Sequence, residues 1–126
     1  MDSNALTALR ERLESAATLD DALAGDAAAM LSDGFREPIA PEATKTGLLG
    51  SAESAIRVVG HAYPGWALSF DGHASPRDNT KWRCTLRESR GPDDDQIVGI
   101  GNANSMRLAL LAAVAHIKIM HAAGYG

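Results

Sequence analysis

Hydrophobic positions in this chain repeat at two different periods, and the change from one to the other divides it. Leu6, Leu9 and Leu13 recur at helical spacing and predict a helix over 3–17. Thr18-Leu19-Asp20-Asp21 resembles a capping box with Asp in the last place, and Leu23, Ala27, Met30 and Leu31 follow it at helical steps. A second helix is expected over 20–31, ended by Asp33-Gly34. The segment 35–50 contains Pro38, Pro41, Gly47 and Gly50 and is expected to be an irregular connection. Ser51 is placed to cap a third helix with Ala52, Ala55, Ile56 and Val59 on one side, stopped by Tyr63-Pro64-Gly65.

The period then becomes two. Trp66, Leu68 and Phe70 alternate with Ala67, Ser69 and Asp71, which predicts a half-buried strand. A polar loop over 71–80 leads to a second strand, in which Trp82, Cys84 and Leu86 alternate with Arg83, Thr85 and Arg87. Gly91-Pro92-Asp93-Asp94-Asp95 is expected to be a hairpin loop and 96–101 a third strand. From Ser105 to Met120 a helix is apolar almost all the way round. Met106, Leu110, Ala113, Ile117 and Met120 form one stripe, and Leu108, Ala112, Ala115 and Ile119 another. Such a helix must be wedged between layers or pressed against a partner.

The order is therefore α-α-α-β-β-β-α, an α+β domain. Three strands with short polar loops form an antiparallel meander, with helices on one face. The long C-terminal helix is expected to pack between the sheet and the N-terminal helices. At 126 residues the chain is long enough for one domain and too short for two. Within it, 1–34 hold the N-terminal helices, 35–50 the connection and 51–124 the α-β-β-β-α unit.

Composition adds limits. The chain is 45% hydrophobic but only 5% aromatic, so Ala, Leu, Ile and Val must build the core. Cys84 is the one cysteine, which excludes an internal disulfide framework and a thiol-rich metal site. No basic segment followed by an apolar run opens the chain, and no run of about 18 apolar residues occurs. A cytoplasmic location is the expectation, with no membrane partner. Residues 1–42 carry nine acids and three bases (net −6), whereas 43–126 carry seven acids and nine bases (net +2). Such asymmetry bears on partners.

Most candidate chemistry reads as structure. Gly99-Ile100-Gly101-Asn102-Ala103-Asn104 lacks the third glycine of a dinucleotide fingerprint, although amides at the Ser105 end of the helix suit an anion. Gly47-Leu48-Leu49-Gly50-Ser51 lacks the lysine of a phosphate-binding loop and reads as a turn. His116 and His121 are five residues apart and do not share a helix face as a metal pair would; His61 and His73 are isolated. Asp93-Asp94-Asp95 lacks the alternate carboxylates and closing Glu of a calcium loop. Cys84 is expected to point into the core and behave as a small hydrophobe. Glu53, Asp71 and Glu88 suit acid–base work only if paired. No catalytic constellation, metal site or cofactor is expected.

The basic strand carries more. Lys81, Arg83 and Arg87 project opposite Trp82, Cys84 and Leu86, and Arg77 and Arg90 flank them. Such a face suits an acidic protein surface or a phosphate backbone. It has no aromatic residue for base stacking.

Two resemblances add to this. Leu19-Asp20-Asp21-Ala22-Leu23, the stretch from Ser51 to Val59, Pro64-Gly65-Trp66-Ala67-Leu68-Ser69, Trp82-Arg83-Cys84-Thr85-Leu86 and the Ala/Leu-rich stretch from Ala103 to Ala113 resemble the phage ABA sandwich domain of small tailed-phage proteins. Asn104-Ser105 stands where that family has Thr-Pro, and the middle loop is longer. The resemblance implies a phage-associated protein in a bacterial host, with no assigned reaction. The helix–three strands–helix order is also similar to double-stranded-RNA-binding domains, whose last helix opens on a lysine cluster that grips phosphates. Here the matching turn supplies only Arg107.

Together these readings predict a non-enzymatic interaction protein. Arg77, Lys81, Arg83, Arg87, Arg90 and Arg107 would meet a protein partner, for instance a host or defence factor. Homodimerisation through the apolar helix and nucleic-acid binding through the basic strand are the other partner classes.

Overall fold

The computed structural model describes residues 1–32, 34–35, 39–72, 81–88 and 97–124. Its elements are α1 (Ser3–Ser15), α2 (Asp21–Ser32), α3 (Pro41–Gly50), α4 (Ala52–Ala62), β1 (Ala67–Gly72), β2 (Trp82–Arg87), β3 (Val98–Ala103) and α5 (Met106–Ala122). The expected helices, the meander and the long last helix are all present. Asp33, Pro38, His73, Pro76, the hairpin tip over 91–95, Arg77 and Arg90 lie outside the described residues.

One segment differs from expectation. The connection over 35–50 contains a full helix, α3, so four helices precede the sheet. Pro41 sits at its first turn, where a proline ring is already set for helical φ and the missing N–H has no intrahelical partner to lose. Proline there starts a helix, whereas in the bare sequence it reads as a breaker.

Short polar side chains begin the other helices. Asp2 accepts the Ala5 N–H at 2.7 Å to start α1. For α2 the cap is Asp20, which accepts the Leu23 N–H at 2.8 Å, rather than Thr18. Ser51 and Ser54 form a reciprocal capping box on α4. Ser54 also donates to the Gly47 carbonyl at 2.5 Å, fixing the corner between α3 and α4.

The sheet order is β1-β2-β3, antiparallel throughout. Leu68 lies opposite Leu86 and Phe70 opposite Cys84, while Thr85 lies between Ser69 and Ile100. One face therefore carries Leu68, Phe70, Trp82, Cys84 and Leu86, and α5 packs on it across β2 and β3. Every residue of α5 from Leu108 to Ala115 is buried. Its far side is covered chiefly by α1, with α4 touching its flank, while α2 packs on α3 and α1. The two apolar stripes thus face two layers of the same chain.

Close approach of α5 to β3 depends on glycine. A Cβ at Gly101 would collide with the Ala109 carbonyl and lie 2.6 Å from the Ala113 nitrogen. One at Gly99 would collide with the Ala113 carbonyl. At Gly101 only alanines face the strand, so the two backbones meet with almost no side chain between them, while Ile117 packs directly on Gly99. At this density even one added methyl must displace something.

Candidate functional site

The face of the sheet turned away from α5 is built from alternate residues of three strands. Asp71, Ser69 and Ala67 pair with Arg83, Thr85 and Arg87, which pair in turn with Asn102, Ile100 and Val98. Pleating forces these residues to one side, because Cys84 and Leu86 between them are taken by the core. Among the described residues, no helix covers this face.

Arg83 and Arg87 are exposed, as is Lys81 just before β2. Arg83 donates from Nε to the Asn102 side-chain oxygen at 3.0 Å, which holds its guanidinium along the sheet. Lys81 Nζ reaches the Glu14 carbonyl at 3.5 Å. Among the described residues, the ion pairs are Arg10–Glu14, Arg12–Asp26 and Lys45–Asp21, so none of the three strand-face cations is neutralised by a carboxylate. Thr85, Val98 and Ile100 are half-buried beside them. The aromatic rings of Phe70 and Trp82 belong to the opposite face. A hollow of about 420 Å³ lies at the end of the face, between Asp71, Gly72, Lys81, Trp82, Arg83 and Asn102.

Arg107 does not join this group. Its Nη1 donates to the carbonyls of Leu48 and Leu49, at 3.2 and 2.9 Å. Those carbonyls end α3, where the helix dipole is negative and intrahelical donors are lacking. The cation expected at a binding surface is spent instead on closing a helix. The strand therefore brings together Lys81, Arg83 and Arg87 and leaves Arg107 elsewhere.

Gly99-Ile100-Gly101 lies inside β3, within the strand expected over 96–101, and β3 runs on to Ala103 where a turn into the last helix is expected. Within β3, Ile100 donates to His116 Nδ1 and Asn102 to Glu14, both at 3.0 Å, and at the Ser105 end of α5 the Ser105 hydroxyl accepts the Leu108 N–H at 3.2 Å. Arg10 Nη2 donates to the Ile100 carbonyl at 3.0 Å. Three side chains from α1 and α5 thereby engage three outward-turned backbone groups of β3, a role that single-residue reading gave none of them. Burial holds the His116 imidazole below its ordinary pKa, assisted by the Arg10 charge and opposed by Glu14.

Cys84 is buried, and burial pushes its thiol up to about 12, the opposite of what a nucleophile needs. Burial likewise pushes Tyr63 up to about 12. Among the described residues, no three His, Cys, Asp or Glu side chains gather where a metal ion would sit. No described helix is long and apolar enough to cross a membrane. No family model, curated protein or solved structure matches the chain.

Proposed function

We propose that this chain is a small non-enzymatic interaction protein whose open sheet face docks an acidic protein surface. The observation that carries this reading is the set of Lys81, Arg83 and Arg87, which pair with no carboxylate among the described residues, on a face that no described helix covers. Exposed cations flanking half-buried Thr85, Val98 and Ile100 combine apolar contact with charge, the mixture typical of protein interfaces, in which Arg is enriched. A phage or host protein as partner follows from the resemblance to small tailed-phage proteins and rests on it alone.

A nucleic-acid reading is supported by the α4-β1-β2-β3-α5 order and the basic strand. Two observations weigh against it: the aromatic rings lie on the wrong face, and the first turn of α5 commits Arg107 to α3.

The test compares the wild type with Arg83→Ala/Arg87→Ala. Affinity capture from infected host cells should yield a protein that the double variant loses and Arg107→Ala retains. Separately, fluorescence anisotropy with a polyglutamate peptide and an RNA duplex should show salt-sensitive binding of the peptide. Tight duplex binding that weakens steeply with salt, with no peptide binding, would replace the first reading by the second.

A further inference from the structure

The two edges of the sheet are treated differently. Along β3, Ile100 turns its N–H to His116 and its carbonyl to Arg10, and Asn102 turns its N–H to Glu14. These groups point away from β2, so the ladder between β2 and β3 runs through Cys84–Gly101 and Leu86–Gly99. Antiparallel bonding alternates along a strand. Arg83, Thr85 and Arg87 must therefore bond to Asp71, Ser69 and Ala67, which leaves Leu68, Phe70 and Gly72 with outward-turned amides and carbonyls. No described side chain bonds to any of them. Leu68 and Phe70 are also only half-buried, because α5 packs over β2 and β3.

We propose that β1 pairs with β1 of a second copy of this chain, antiparallel about a two-fold axis through Ser69, to make one continuous six-stranded sheet. Such a contact is isologous and closes on itself. In this register Leu68 of one copy lies opposite Phe70 of the other, twice. Both residues turn their backbone groups outward, so each pair exchanges two hydrogen bonds. Their half-exposed side chains lie on the same face and cover one another.

Charge selects this register over its neighbours. Asp71 is the one charged residue of β1, and it has no ion pair among the described residues. With the axis at Ser69, it lies opposite Ala67 of the second copy, beyond which stands Arg87. The row across the junction reads Arg83, Asp71, then Ala67 and Arg87 of the second copy. Two strand spacings, about 9–10 Å, separate Asp71 from that Arg87, and the small Ala67 between them leaves the arginine a path. Shifting the axis to Leu68 or Phe70 takes Asp71 out of the Arg87 row.

Sedimentation equilibrium from micromolar to millimolar protein tests the contact. A monomer–dimer equilibrium is expected. Asp71→Arg and Arg87→Asp should each weaken the dimer roughly tenfold, since both copies of the pair turn repulsive. The double swap, Asp71→Arg with Arg87→Asp, should restore it. Far-UV circular dichroism of each variant should match the wild type, because both side chains are exposed. A protein that stays monomeric throughout, a dimer indifferent to the single changes, or a double swap that fails to recover would each overturn the proposal.

Discussion

His116 Nδ1 accepts the backbone N–H of Ile100 at 3.0 Å, so a side chain of the central helix closes the edge of the strand beneath it. Protonation would set a second N–H against that amide. The folded-state pKa lies below the ordinary 6.5, so the unfolded chain binds the proton more readily. This contribution to stability is complete above pH 6.5 and is lost as pH falls through the depressed folded value. Urea midpoints should therefore drop between pH 7.5 and pH 5, a slope to be flattened by His116→Gln. Replacement by alanine should cost about 1–2 kcal/mol at neutral pH, because the Ile100 amide loses its acceptor.

Glycine content alone does not tell which glycines matter. Gly101→Ala and Gly99→Ala force the α5 backbone away from β3 and should each destabilise by about 1–3 kcal/mol. At Gly25, within α2, an added methyl would meet nothing within 4 Å, and the alanine variant should gain about 0.5–1 kcal/mol from helix propensity. Thermal unfolding of the three variants side by side separates the two cases.

Arg107 and the strand arginines should differ in what their loss does to stability. Arg107→Ala leaves the carbonyls of Leu48 and Leu49 without their charged donor and should cost about 1–2 kcal/mol. Arg83→Ala and Arg87→Ala touch exposed side chains and should stay within about 0.5 kcal/mol. Denaturant melts of the three single variants measure both.

Cys84 should ignore a thiol reagent in the native protein and react stoichiometrically once it unfolds. Its side chain is fully buried, and its thiol stays protonated until far above neutral pH. The native labelling rate at pH 8 therefore reports opening of the sheet–α5 interface.

Periodicity made much of this fold legible. Trp82, Cys84 and Leu86 against Arg83, Thr85 and Arg87 locate β2 residue for residue, and the double stripe of α5 correctly implies layers on both sides. The helix α3 was not legible, because Pro41 and two glycines are local stop signals whose meaning depends on position within the helix. Gly99 and Gly101 fall in the expected strand, but the need for glycine there was not legible, since it comes from a helix backbone rather than from φ. At the candidate site the strand cations were legible from alternation alone. The diversion of Arg107 to α3, and the closing of β3 by Arg10, Glu14 and His116, link residues far apart in the chain. No local pattern announces them.

The position of α5 between β3 and α1 sets an order of events during synthesis. Of the described helices and strands it is the last made, yet it supplies the surface that both its neighbours bury. Until it leaves the ribosome, Leu6, Leu9 and Leu13 of α1 and the apolar face of the sheet lack their main cover. The nascent chain must therefore hold a half-built core open until α5 arrives. Formation of this core should then wait for α5, because its decisive contacts join α1 to a helix far along the chain.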